Sequence, residues 1–290
     1  MLASLPIILL DNGSKRPAAA LALRETAVGL SSRLGREVFP ASVAFSDGIP
    51  TELLDGAPAK LLGDLVLDLA ERGEPSAIIA PLFLGPSGGL SKGLAAARAA
   101  APAGFDLLVG ECLVADAEQE DSGMPVDTRV ARALATEVLR VARRKRLVAP
   151  LKVLVVDHGT PSKAVNAVRN RLAQQLDGLL GYGRHGALVG AASMERRDGA
   201  EYDFNEPLLE RALTAAPYDT GDVVLAMAFV LPGRHAGEGG DVAQIAEAAQ
   251  AAAEASGQQL RVHTTPLLGR SPFVLDVLAD RVHDADRPET

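Results

Sequence analysis

Four short aliphatic runs punctuate the first half of the chain: LPIILL (5–10), REVFPASVAF (36–45), SAIIAPLFL (76–84) and FDLLVG (105–110). They are rich in β-branched residues and bounded by turn-formers, the pattern of buried strands. Between them, apolar positions recur at helical spacing, as in AAALALRETAVGLSSRL (18–34) and AKLLGDLVLDLAERG (59–73). A further helical stretch, TRVARALATEVLRVARR (128–144), closes this half. The second half repeats the order, with strands LKVLVV (151–156), GALVGAAS (186–193), DVVLAMAFVL (222–231) and QLRVHTTPL (259–267). Its helices include KAVNAVRNRLAQQLDGLL (163–180) and DVAQIAEAAQAAAEASG (241–257).

Strands alternating with helices predict parallel sheets with right-handed crossovers. The expected fold class is therefore α/β: two similar domains, each a sheet of about four strands with helices on both faces. A chain of 290 residues has room for two such cores. The repeat places the domains at 1–148 and 149–285, followed by a short tail, 286–290.

Composition narrows the function. The net charge of −8 argues against a general binder of nucleic-acid backbones. Aromatic residues make up only 3% and Trp is absent, which leaves little with which to stack unpaired bases. The one compact basic run, RVARRKRL (140–147), reads as cations at a helix C-terminus, where the macrodipole favours them. A single cysteine, Cys112, excludes an intrachain disulfide or an all-cysteine metal cluster and points to a reducing, cytoplasmic setting. The opening MLASLPIILLDNG reads as a first strand rather than a signal peptide, and the longest apolar run, VVLAMAFVLP (223–232), is half of what a bilayer needs, so no membrane partner is expected.

Loops leaving the carboxyl ends of parallel strands form the ligand crevice in such sheets. In the second half those loops carry His158 in VVDHGTP, His235 in FVLPGRHAGEGGD, and Glu195 in MERRDGAEYDFNEP, with Glu206 as the alternative carboxylate. Two imidazoles and a carboxylate suit Zn, Co, Ni or Fe in the divalent state. Gly233, Gly237, Gly239 and Gly240 would let the backbone around His235 turn tightly and approach a flat ligand. The corresponding turn of the first half, LLDNGS, has Asn12 in place of the imidazole.

Other signals are weaker. GYGRHG (181–186) matches a dinucleotide motif literally but follows a helix and precedes a strand, the reverse of the required context, and its His185 reads as a loop residue. DHGT lacks the arginine that precedes the histidine of histidine phosphatases, having Asp157 there instead. His263 reads as a hydrogen-bonded strand residue, His283 as part of a frayed tail, and the acidic segment 114–127 as a solvated insertion.

Taken together, VVDHGTP, FVLPGRH with His235 six residues after Phe229, and TPLLGRSPFVLDVLADRV (265–282) resemble the class II chelatases of tetrapyrrole biosynthesis, the sirohydrochlorin cobalt and iron chelatases. LLDNGSKRP, IAPLFLGPSGGL and DTRVARALATEVL give the first half the same frame without its histidines: Asn12 stands at the first, Gly89 or Leu90 at the second. The resemblance implies that a divalent ion (Co2+, Fe2+ or Ni2+) is a substrate inserted into sirohydrochlorin or a related tetrapyrrole, with no organic cofactor. It implies that His158 and His235 hold the metal and accept protons, Glu195 being a third ligand or proton acceptor. Carboxylates of the macrocycle would then meet Arg196, Arg197 and Arg234, and the turns at Gly159, Thr160 and Gly233. Asn12 and Ser14, with Lys15 and Arg16 beside them, would make the first half a substrate-holding copy. The competing expectation is a non-catalytic tetrapyrrole- or metal-binding protein; a transferase or phosphatase on a similar scaffold is a third.

Overall fold

The computed structural model describes residues 5–114, 126–181 and 186–287. His185 and most of the acidic segment, 115–125, lie outside the described residues. All eight expected strands are present, in two four-stranded parallel sheets.

The first sheet has the order β2-β1-β3-β4, from β1 (Ile7–Asp11), β2 (Val38–Ser42), β3 (Ser76–Pro81) and β4 (Asp106–Val109). Ile7 of β1 is in register with Val38 on one side and Ile78 on the other. Every residue of β1 is buried, as a central parallel strand covered on both faces must be. Ile8 and Leu10 pack with α2 (Leu62–Glu71) and α3 (Gly88–Ala100), so the alternating Ile7 and Leu9 face the other side. That side holds α1 (Pro17–Leu34), which packs on α8 (Pro272–Ala285), itself lying on β3. Pro17 begins α1 and Gly35, at φ 64°, ends it, the usual asymmetry of helix ends.

The second sheet repeats the order as β6-β5-β7-β8, from β5 (Leu151–Asp157), β6 (Ala187–Ser193), β7 (Gly221–Met227) and β8 (Leu260–Thr264). The short α6 (Leu209–Ala212) and α7 (Asp241–Ala255) cover one face through Leu154, Val156 and Leu225. On the other, α5 (Lys163–Leu180) pairs with α4 (Arg129–Lys145), which also packs on β7. The basic run falls in the last turn of α4, as expected from the dipole. His263 bonds to Asp222 on the neighbouring strand through Nε2 at 2.8 Å, a strand pair and not a ligand set. His283 stands in the last turn of α8 rather than in a frayed tail.

The domain boundary departs from the expected 148/149. One compact unit contains the described residues up to 114 and again from 269; the other contains those from 126 to 268. Each half's last helix is therefore counted with the other half's sheet. Val130, Leu134 and Val138 of α4 are buried in the second unit, and Val274, Val277, Leu278 and Val282 of α8 in the first. Helical periodicity shows that such a face must be covered, but not by which sheet.

Candidate metal centre

In the second sheet β5 is flanked by β6 and β7, and the loops after β5 and β7 run to helices on opposite faces. A crevice opens at such a switch point, and the two histidines stand there: His158 directly follows β5, and His235 lies in the loop from β7 to α7. Their ring centroids are 4.3 Å apart, inclined at 72°. Glu195, two residues past β6, brings Oε1 to 3.4 Å from Nε2 of His158.

Both imidazoles have their Nδ1 occupied. His158 Nδ1 lies 2.9 Å from the carbonyl oxygen of Gly159, which only accepts, so Nδ1 donates. His235 Nδ1 lies 2.7 Å from Oδ2 of Asp241, the first residue of α7. In each neutral ring Nε2 then carries the free lone pair, the form that binds a cation or takes a proton. Among the described residues, no group of three or more His, Cys, Asp or Glu side chains is placed to hold a metal ion, so Glu195 does not complete a three-donor set with the imidazole pair as it stands. The imidazole pair with Glu195 is an open arrangement on a partly exposed rim.

Backbone geometry brings these groups together. Gly159 has φ +90°, and a Cβ there would sit 1.8 Å from the carbonyl oxygen of Glu195. Only glycine allows the two turns to close, with Glu195 N donating to His158 O at 3.1 Å. The loop around His235 is fastened by Gly233 N to Ala236 O, 2.9 Å, and by burial of Ala236. Asp241 was not singled out in the sequence, where its position at the start of the helix after four glycines was the available signal. Asp241→Asn is expected to lower metal affinity by about 10- to 100-fold, since outer-sphere carboxylates orient the ligating ring and raise its basicity; calorimetric titration with Co2+ checks this.

Beneath the rim lies a polar network that also escaped sequence reading. Asp157 Oδ1 accepts from Ser193 Oγ at 2.6 Å, and Ser193 Oγ accepts from Arg169 Nη1 at 2.6 Å. Arg169, only 3% exposed, also donates to the carbonyl oxygens of Asn205 and Phe204. Asn205 in turn clamps Thr160, accepting from its N–H at 3.0 Å and donating to its carbonyl at 2.9 Å. Burial pushes the Asp157 carboxyl above its ordinary value, with Ser193 and the Arg169 charge opposing the rise.

The remaining candidates separate by their bonding. Arg196 is taken up inside its own loop, by Glu206 at 2.9 Å, Asp203 at 3.2 Å and the carbonyls of Arg197 and Gly199. Glu206, tied to Arg196 and to Leu208 N, holds that loop, whereas Glu195 faces His158. Arg197 and Arg234 are exposed; Arg197 lies 5.9 Å over the Tyr202 ring, and Arg234 reaches Asp241 at 3.8 Å.

Equivalent hydrogen bonds align the first unit with this rim. Ala44 N donates to Asn12 O as Glu195 N does to His158 O, and Leu82 N to Leu10 O as Ala228 N does to Val156 O. Counting on from these pairs, Asn12 corresponds to His158, Ala44 to Glu195 and Gly89, not Leu90, to His235; the buried Leu90 matches the buried Ala236. All three candidate metal positions have thus lost their donors. Ser14 retains the turn, its Oγ accepting from Arg16 N at 3.1 Å.

The Asp–Ser pair persists there as Asp11 and Ser42, 2.6 Å apart, but Leu23 stands where Arg169 would be. With no cation opposing it, burial raises the Asp11 carboxyl to about 6, despite hydrogen bonds from Ser42 and the Gly13 backbone. A raised acid contributes stability below its unfolded value near ~4 that is lost as pH climbs through the folded value. Asp11→Asn, which can still accept from Ser42, is expected to gain up to about 3 kcal/mol over wild type above pH ~6 and nothing below pH ~4. Urea unfolding at the two pH values reads the difference.

Residues 152–285 match the CbiX family model. No curated protein matches the sequence. Among solved structures the chain is similar to SirB from Bacillus subtilis with Fe3+, at 11% identity over 97% of this chain and 95% of that one, with a TM-score of 0.60. It is similar to CbiX, the terminal enzyme for biosynthesis of siroheme in denitrifying bacteria, at 15% identity over 96% and 98%, with a TM-score of 0.58. A third likeness is to DR2241 from Deinococcus radiodurans, a multi-domain protein with structural similarity to chelatases, at 17% identity over 97% of this chain and 55% of that one, TM-score 0.61. At these identities the structural likenesses establish a shared fold across both halves. The family model falls on the half that carries His158 and His235, and that half matches the CbiX family, while both halves share the fold of the chelatases named above.

Proposed function

We propose that the second unit inserts a divalent metal ion, Co2+ or Fe2+, into sirohydrochlorin or a closely related tetrapyrrole. The observation that carries this reading is the imidazole pair, with Nδ1 bonded on both rings and Nε2 left as the available donor. Insertion forms bonds from the metal to the ring nitrogens and releases two pyrrole protons. His158 and His235 hand the ion to the macrocycle, and as they let go of it their Nε2 atoms take protons. Glu195, beside Nε2 of His158, serves as third ligand or as proton acceptor. Imidazole is suited to both tasks, since the same ring nitrogen can bind a divalent ion or take a proton.

The exposed Arg197 and Arg234 supply planar, bidentate partners for substrate carboxylates. Arg196, bound by Glu206 and Asp203, keeps the loop that carries Glu195 in shape. Gly159, Thr160 and Gly233 set the turns against which the ring lies, and Asn12 and Ser14 belong to the copy that holds substrate without metal. Absorbance of sirohydrochlorin during incubation with Co2+ or Fe2+ is the direct test: a metallated spectrum that forms only with enzyme is expected. Metal affinity dependent on both histidines, with no turnover, would instead make this a binding protein.

A further inference from the structure

The rim of the first unit has lost its metal donors but gained an exposed aromatic ring. Resting on the tetrapyrrole reading above, we propose that this rim, at Asn12, Ala44, Phe45 and Gly89, is a second binding face for a planar polyanionic macrocycle, taken by stacking and charge without a metal.

Phe45 is 54% exposed and has φ 69°, ψ −22°, a left-handed conformation that is an outlier for a bulky side chain. The cause is its neighbour. Ser46 is 2% exposed, its Oγ donating to Ser42 Oγ at 2.9 Å and accepting from Ser14 N at 3.2 Å, while its N–H closes on Ala44 O at 2.9 Å. Pinning Ser46 inward turns Phe45 outward. Glycine would suit that backbone without strain and spare the exposed apolar area, so the backbone itself does not call for a bulky residue there.

The ground beside it is low. Ala44 replaces the glutamate of the other unit, and Gly89 carries no side chain, its Cα position facing the amide of Asn12. A flat ligand can approach where a histidine would stand. Lys15 and Arg16, exposed on the turn after Asn12, form no side-chain hydrogen bond or ion pair among the described residues. Free cations beside an upturned ring match a disc with carboxylates at its edge, the charge complement of that surface.

The test uses the full chain with His158→Ala and His235→Ala, titrated with metal-free sirohydrochlorin and followed by the ligand's own fluorescence. Binding is expected to persist, to weaken about five- to tenfold on Phe45→Ala, and to lose most of its salt dependence on Lys15→Ala with Arg16→Ala. Phe45→Gly should raise the melting temperature while weakening binding as Phe45→Ala does, which separates backbone strain from recognition. Affinity unchanged by both Phe45 replacements overturns the proposal. Cobalt insertion by the otherwise unaltered chain is scored separately: its failure with Phe45-dependent binding intact sinks the chelatase reading alone, and its success with Phe45-independent binding sinks this one alone.

Discussion

His235→Ala is expected to abolish metal insertion and to lower Co2+ affinity by about 100-fold or more, beyond the range usual for outer-sphere partners. The ring is held from its far side by Asp241 at 2.7 Å, and its centroid stands 4.3 Å from that of His158. Removing it leaves one imidazole and Glu195, too few protein donors to hold an exposed divalent ion against water. Little stability should change, because the loop is fastened by backbone bonds and by buried Ala236 rather than by the ring. His235→Gln, which keeps a polar atom but not a basic one, separates ligand from proton acceptor: recovered affinity without recovered turnover identifies the base. Calorimetry with Co2+ and the absorbance assay on the same preparations read the two quantities, and wild-type turnover in His235→Ala would sink the assignment.

Arg169→Met is expected to destabilise the second unit by about 3–5 kcal/mol, the usual loss when one partner of a buried charged network is removed. Ser193 and the carbonyls of Asn205 and Phe204 would lose a donor at once, and Asp157 the positive charge that opposes its burial. Restoring neutrality with Asp157→Asn in the same chain should recover part of the loss, because the remaining buried charge is then gone. Denaturant unfolding of the single and double variants measures the coupling. Independence of the two substitutions would mean that the guanidinium and the carboxylate do not act as a unit. The first unit shows that the fold tolerates the apolar solution, with Leu23 in that place, provided Asp11 accepts a raised pKa.

The strands were legible because each is a compact aliphatic run between turn residues, and the histidines because both follow such runs directly. Helix α3 is less legible at its start: its first turn is glycine-rich, and it begins where Ser87 Oγ accepts from Leu90 N at 3.1 Å. The choice between Gly89 and Leu90 needed hydrogen-bond equivalences across two sheets. Asp241, Arg169 and Asn205 were invisible for a related reason. Each matters through a partner that is distant in sequence or on another element, and no local period marks such a pair. The roles of Glu195 and Glu206 likewise separated only when Arg196 was found bonded to the latter.

The reading frame of the repeat and the frame of folding are offset by one helix. A gene cut at the internal repeat boundary would yield two products, each with four strands, one sheet face covered by a single long helix where two pack in the intact chain, and a final helix whose apolar stripe has nothing to cover. Two copies of such a product could satisfy each other by trading those helices. Each half of this chain therefore depends on the other for one helix of its packing. One copy's freedom to lose its metal donors follows from that linkage: its sheet is still needed to shelter the other half's last helix, whatever becomes of its chemistry.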